Sequence, residues 1–252
     1  MRKWLVWEKN WLIAHGFSIK KPDLGAYSES PVEYITGRAA WLDGEIGVNE
    51  YTLIPRMETE ELVELVMDDL VSLGSSGKLE IAEVGTGSGA IAIGVASELK
   101  KRGREAQIIA SDISRNALKK AQENAAEWGI EKKEIWFLES DLMKNYPQGK
   151  KFDLIVANLP YIPSSRIANL EASVRDFEPK LALDGGADGV ELITKCLGQV
   201  KAYLKPQGWV WLEVDETHDE GIIKKYKLER EWGIEIIKDH HNRVRFWCCK
   251  LL

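Results

Sequence analysis

Phe152-Asp153-Leu154-Ile155-Val156-Ala157-Asn158-Leu159-Pro160-Tyr161-Ile162-Pro163 is the stretch whose reading decides the fold. Leu154 to Ala157 form an unbroken apolar run, ended abruptly by polar and proline residues. Such a run is the pattern of a strand covered on both faces, as in parallel sheets. Asn158 then falls at the carboxyl end of that strand, where open α/β sheets hold their ligands. Pro160 and Pro163 fix φ and remove two backbone donors, so the chain leaves the sheet as a stiff loop. A stiff loop holds a carboxamide and an aromatic ring at a set angle. That arrangement suits a poor nucleophile such as an amide nitrogen. The Asn158 side-chain carbonyl and a backbone carbonyl of the loop each accept one N–H, which turns the nitrogen lone pair toward an electrophile. The Tyr161 ring lies against the planar group. Strand ends with tight turns use the same residue types, so the tetrapeptide alone leaves both readings open.

Upstream, Ile81-Ala82-Glu83-Val84 runs into Gly85-Thr86-Gly87-Ser88-Gly89, and residues 90–99 read as a helix. A strand, a glycine turn and a helix start let backbone approach a ligand closely. Within about 20 residues a second strand, 107–110, ends in Ser111-Asp112, where a carboxylate holds ribose hydroxyls. A dinucleotide site competes, because Gly85-x-Gly87-x-x-Ala90 loosely satisfies that fingerprint. Ser114 is placed to cap a helix that carries Ala117, Leu118, Ala121 and Ala125 and stops near Gly129. A third strand, 135–138, ends in Ser140-Asp141-Leu142; Asp141 either faces an adenine amino group or turns the chain.

Residues 178–189 read as a loop rich in glycine and acid, 190–204 as a helix and, after Gly208, 209–214 as a strand. Residues 217–231 read as a solvated helix, and 234–237 and 244–249 as the last strands. Strands alternate with helices until a closing strand pair, which predicts an α/β doubly wound sheet whose last strand is antiparallel. At the front, Trp4, Trp7, Trp11 and Ala14 follow helical spacing, with Gly16 as a stop; so short a helix must dock, on its own domain by preference or else on a partner surface, where tryptophan is enriched. Residues 18–31 read as a linker and 41–46 as a hairpin turned at Asp43-Gly44. In Leu53-Ile54-Pro55-Arg56-Met57-Glu58-Thr59-Glu60, Thr59 is placed to cap the next helix. Arg56 and Glu58 there are either a solvated helix entrance or a lid over the ligand.

The 252 residues suit one large domain, or a domain with a small appendage. With 44% hydrophobic and 29% charged residues the composition is that of a globular protein. A net charge of −6 argues against broad nucleic-acid binding. Cys196, Cys248 and Cys249 make no disulfide framework, and a reducing cytoplasm fits them. Cys248 and Cys249 are expected to alternate across a strand. No signal peptide or membrane span is expected. His218, His240 and His241 match no zinc spacing, so no metal is expected.

Five segments, taken in order, resemble the HemK/PrmC protein-(glutamine-N5) methyltransferases, which methylate the glutamine of the Gly-Gly-Gln loop in peptide chain release factors. They are Pro31-Val32-Glu33-Tyr34-Ile35-Thr36-Gly37, residues 54–60, residues 83–92, Asn158-Leu159-Pro160-Tyr161 and residues 178–189. The resemblance implies a class I methyltransferase, Rossmann-like with a seven-stranded sheet, over residues 31–252. Residues 1–30 would then be a reduced recognition region. S-adenosylmethionine would be the methyl donor, with S-adenosylhomocysteine as product and no metal.

Carried over by position, Glu83, Gly85, Thr86, Gly87, Ser88 and Gly89 wrap the methionine part of the cofactor. Asp112 takes the ribose, and Asp141 and Leu142 flank the adenine. Asn158, Leu159, Pro160 and Tyr161 seat the glutamine amide, with the Pro160 carbonyl as second acceptor and Arg56 on the substrate side. Asn158 touches both molecules. The chain departs from the family in having Leu159 for a proline, Glu83 for an aspartate and only ~30 residues before Pro31. Asn-Leu-Pro-Tyr is also typical of rRNA adenine dimethylases. The alternatives are therefore a ribosomal-protein glutamine, N6-adenine methylation of RNA or DNA, and a non-catalytic cofactor-binding scaffold.

Overall fold

The computed structural model describes residues 4–17, 29–72 and 77–252. Residues 18–28 of the expected linker lie outside them. Helix α1 (Val6–Ala14) docks on the chain's own front end, as expected: Leu12 is fully buried, and Trp11 Nε1 donates to Thr36 Oγ1 at 3.0 Å in α2 (Val32–Thr36). Trp7 remains half-exposed on the outer side. β1 (Arg38–Trp41) and β2 (Gly44–Gly47) form the expected hairpin.

The central sheet follows. α3 (Met57–Ser72) leads to β3 (Leu79–Val84), α4 (Ala90–Lys101), β4 (Ala106–Asp112), α5 (Arg115–Glu127) and β5 (Ile135–Glu139). The chain then returns to the other side of β3 as β6 (Phe152–Ala157). A short α6 (Ala172–Arg175) and α7 (Glu191–Val200) precede β7 (Leu204–Glu213). α8 (Glu220–Lys225), β8 (Trp232–Lys238) and β9 (Val244–Leu251) complete it. The strand order is β5-β4-β3-β6-β7-β9-β8, with β9 antiparallel to both neighbours. Val84 is in register with Ala157 on one side and Ser111 on the other. The topological switch therefore sets the glycine turn beside Asn158, where such sheets bind ligands.

The β6 run earns its burial from both sides. Leu154 and Val156 join the core under α3 and α4, while Ile155 and Ala157 join the core under α7. None of the four is more than 1% exposed. Each large aliphatic side chain so buried contributes about 1.5–3 kcal/mol, and Leu154→Ala would cost about 2–5 kcal/mol. Cys248 and Cys249 alternate across β9 into the two cores, as expected, and all three cysteines are free and buried.

Three local expectations are corrected. β7 begins at Leu204 rather than 209, because Phe152 pairs with Leu204 across a register break and Gly208 lies against Leu204 and the Asp153 carbonyl. Residues 217–231 are only partly a solvated helix, since His218, Ile223 and Leu228 are buried. Thr59 does not cap α3; the helix begins two residues earlier, and the Thr59 hydroxyl is committed to Glu213.

Candidate active site

A cavity of about 410 Å3 opens at the carboxyl ends of β3, β4, β5 and β6. It brings together Glu83, Gly85, Thr86, Gly87, Ser88, Asp112, Asp141, Leu142, Asn158, Leu159 and Pro160. Arg56, Gly89 and Tyr161 are not among its lining residues.

One wall is built from a single βαβ unit. Gly85 and Gly87 take φ of 79° and 55°, the left-handed region that side chains disfavour. A Cβ at Gly85 would stand 3.1 Å from Leu159 Cδ2, so glycine lets the turn lie against the Asn158 loop. Glu83, 1% exposed, ties the turn to α4: its Oε2 accepts from Thr86 Oγ1 at 2.6 Å and from the Ala92 N–H at 3.1 Å. Burial pushes the Glu83 carboxyl up to about 8 against those two hydrogen bonds. Asp112 is held by backbone, Oδ2 accepting from the Gly87 N–H at 2.9 Å and Oδ1 from the Ser114 N–H at 2.8 Å. Burial raises its pKa as well, and the backbone donors oppose that. Ser114 caps α5 through the Ala117 N–H, as expected.

Gly89 serves packing. An added Cβ would meet Ala121 of α5 at 3.1 Å. Asp141 lines the cavity, but its carboxylate is paired with Lys144 and Lys195 rather than left free for an adenine amino group, and the Lys144 hydrogen bond lowers its pKa. Leu142 lines the same edge with φ of 54°.

The other wall is assembled from distant segments. Asn158 Nδ2 donates to Thr59 Oγ1 at 3.2 Å, and Tyr161 Oη donates to Glu213 Oε1 at 3.0 Å. The Tyr161 hydroxyl is thus committed to Glu213, which fixes the ring in its loop beside the cavity lining. Arg56, expected at the substrate, is instead paired with Glu178, whose other oxygen accepts from the Ile54 N–H at 3.3 Å. A buried carboxylate needs such a partner. The segment 178–189 lies flat against the Asn158 loop: Ile162 N–H donates to the Leu183 carbonyl at 3.1 Å and Gly185 N–H to the Ile162 carbonyl at 2.9 Å. Cβ atoms at Gly185 and Gly189 would fall 2.6 Å and 2.1 Å from the carbonyl oxygens of Pro160 and Tyr161. Only glycine fits there.

Sequence reasoning passed over Glu213 and Asn124, and named the segment that Glu178 opens without its pairing to Arg56. Asn124 hydrogen-bonds both the N–H and the carbonyl of Gly47 and the carbonyl of Ser88, tying the hairpin to the glycine turn. Its signal was a polar residue on the buried alanine face of α5. The signal of Glu213 was an acid closing an apolar strand at the same sheet edge as Glu83 and Asp112.

Residues 75–243 match the family model of a methyltransferase domain. The release factor glutamine methyltransferase of Leptospira interrogans is 38% identical over 86% of this chain and 73% of its own length. That of Bacillus subtilis is 35% identical over 86% of this chain and 74% of its own length. The chain belongs to the release factor glutamine methyltransferase family. Among solved structures, the ribosomal protein L11 methylase of Lactobacillus delbrueckii shares the fold, with a TM-score of 0.55 at 22% identity over 81% of this chain and 83% of that one. So does a Thermus thermophilus 16S rRNA methyltransferase, with a TM-score of 0.57 at 15% identity over 85% of this chain and 50% of that one.

The methyl donor of the release factor glutamine methyltransferase family, S-adenosylmethionine, fits the site that is present. The glycine turn offers bare backbone. Asp112 is fixed with lone pairs to spare for vicinal hydroxyls, and the cavity size suits a nucleoside joined to an amino acid. Among the described residues no cluster of His, Cys, Asp and Glu is placed to hold a metal ion, and no helix is long and apolar enough to cross a membrane.

Proposed function

We propose that the protein methylates the side-chain nitrogen of a glutamine, and that its substrate is the Gly-Gly-Gln loop of a peptide chain release factor. The observation that carries this reading is the Asn158 carboxamide. Its nitrogen is spent on Thr59, while its oxygen accepts from no donor among the described residues, at the wall of the cavity beside the glycine turn. Bound S-adenosylmethionine supplies an electrophilic methyl carbon on a sulfonium. Asn158 Oδ1 accepts one N–H of the substrate amide and the Pro160 carbonyl accepts the other. The nitrogen lone pair is thereby turned toward the methyl group, and orientation replaces intrinsic nucleophilicity. The N–C bond would form as the methyl–sulfur bond breaks, its electron pair leaving on the sulfur of S-adenosylhomocysteine, and one amide proton would pass to water.

Gly85 to Ser88 and Glu83 hold the methionine end, Asp112 the ribose, and Leu142 the adenine edge, beside an Asp141 whose carboxylate stays on Lys144 and Lys195. Leu159 braces the loop against Gly85. Tyr161 acts from behind, through Glu213, and Arg56 through Glu178. The same reading assigns residues 31–252 to catalysis and 1–30 to recognition of the substrate protein, and places the reaction in the cytoplasm, where release factors work. The test is transfer of labelled methyl from S-adenosylmethionine to purified release factor and, in parallel, to rRNA. Label on the glutamine is expected; label on RNA alone would overturn the reading.

A further inference from the structure

Glu213 is 1% exposed at the end of β7, and its carboxylate takes the Thr59 hydroxyl on Oε2 at 2.8 Å and the Tyr161 hydroxyl on Oε1 at 3.0 Å. Neither Glu213 nor the Thr59 hydroxyl reaches a substrate in the reading above, yet both are buried at the sheet edge that carries the chemistry. β6 and β7 are in register as Ala157 with Leu212, so Asn158 and Glu213 leave adjacent strands side by side. Thr59 enters from the first turn of α3 and stands between them.

The direction of these hydrogen bonds matters. A threonine hydroxyl carries one proton. Thr59 Oγ1 donates to Glu213 Oε2, so its one proton is spent there; burial raises the Glu213 pKa, and the Thr59 and Tyr161 hydroxyls together with Arg245 oppose that rise. Toward Asn158, at 3.2 Å, the Thr59 oxygen can then only accept. A carboxamide has two nearly isosteric ends. Of these only Nδ2 can meet an accepting oxygen; the reversed amide would set two oxygens face to face. We propose that Glu213 and Thr59 form a positioning relay that fixes the Asn158 carboxamide with its oxygen toward the cavity. Without the relay the carboxamide rotates freely and offers its NH2 as often as its carbonyl, and an NH2 cannot accept the substrate N–H. Glu213 also holds the Tyr161 hydroxyl, so one buried carboxylate orders both ends of the Asn158–Tyr161 loop. Arg245 of β9 and Glu58 of α3 are the other charges facing it. The proposal deepens the glutamine reading and, for its kinetic arm, rests on it.

Two measurements test it. The first uses wild-type protein alone. In its NMR spectrum the Asn158 side-chain amide protons should exchange slowly and show a nuclear Overhauser contact to the Thr59 methyl. Fast exchange with no such contact would overturn the relay, whatever the substrate proves to be. The second compares variants on release factor. Thr59→Val keeps the shape and removes the hydroxyl, and should lower kcat by about 20-fold or more, because the acceptor is needed chiefly in the transition state. The calorimetric Kd for S-adenosylmethionine should stay within about twofold, and Thr59→Ser, which restores the hydroxyl, should recover kcat to within about fivefold of wild type. A Thr59→Val protein with kcat within about threefold of wild type would overturn the relay. Wild-type protein that labels no release factor would overturn the glutamine reading instead, and the NMR measurement would still decide the relay. The same measurement decides it if Thr59→Val does not fold.

Discussion

The two walls of the cavity are built in opposite ways. On the cofactor side the decisive hydrogen bonds are local: Thr86 to Glu83 spans 3 residues, Ser114 to Asp112 spans 2, and Gly87 to Asp112 spans 25. On the substrate side they join remote parts of the chain. Asn158 to Thr59 spans 99 residues, Arg56 to Glu178 spans 122, and Thr59 to Glu213 spans 154. The difference teaches that the cofactor wall can form with one supersecondary unit, whereas the substrate wall exists only in the finished fold. It also separates effects: changes on one wall should move cofactor affinity, and changes on the other should move turnover or stability.

The sharpest way to break that separation is Asn158→Ala. Turnover should fall by about a thousandfold, the scale of losing one fixed hydrogen-bonding group aimed at the reacting centre. Cofactor affinity measured by calorimetry should change far less. Next is Asp112→Ala, which removes a preorganised carboxylate and should weaken S-adenosylmethionine binding about 10–100-fold, with a smaller loss of stability from the Gly87 and Ser114 N–H groups left without their acceptor. Arg56→Ala should do the reverse. Glu178 would lose its partner while its side chain stays 1% exposed. Fully buried broken pairs cost about 3–5 kcal/mol, and the one-third exposure of Arg56 lowers that to about 2–3 kcal/mol in a urea melt.

A further effect concerns pH. The Glu83 carboxyl is lifted from 4.5 to about 8 by burial. The folded chain therefore keeps a proton that the unfolded chain gives up above pH 4.5. This contribution to stability is whole below that value and is lost as pH rises through about 8. Urea midpoints of the cofactor-free protein should fall between about pH 5 and about pH 8, and Glu83→Gln should flatten that slope.

The same contrast explains what was legible in the sequence. Period and punctuation revealed the sheet, because Leu154 to Ala157, the 85–89 turn, the Ser114 cap and the alternating cysteines each express a short-range rule. Asp112 followed from its place at a strand end. The substrate wall was harder. Thr59 stands beside a helix start and read as a cap; nothing local tells that its hydroxyl meets an acid 154 residues away. Arg56 read as a substrate contact because its partner Glu178 lies in another loop. Tyr161 was placed in the right loop, but the acceptor of its hydroxyl, Glu213, belongs to β7 and no local pattern points to it. Strand ends carrying an acid after an apolar run are the signal that reaches furthest, and Glu83, Asp112 and Glu213 all show it.

The central claim is that an Asn158 carbonyl held from behind presents a protein glutamine for methylation. Mass spectrometry of the Gly-Gly-Gln peptide of release factor, taken from cells that lack this protein, tests it most directly. The glutamine should be unmethylated in those cells, methylated again when the wild-type chain is supplied, and left unmethylated by Asn158→Ala. Full methylation without the protein, or equal restoration by the variant, would contradict the account.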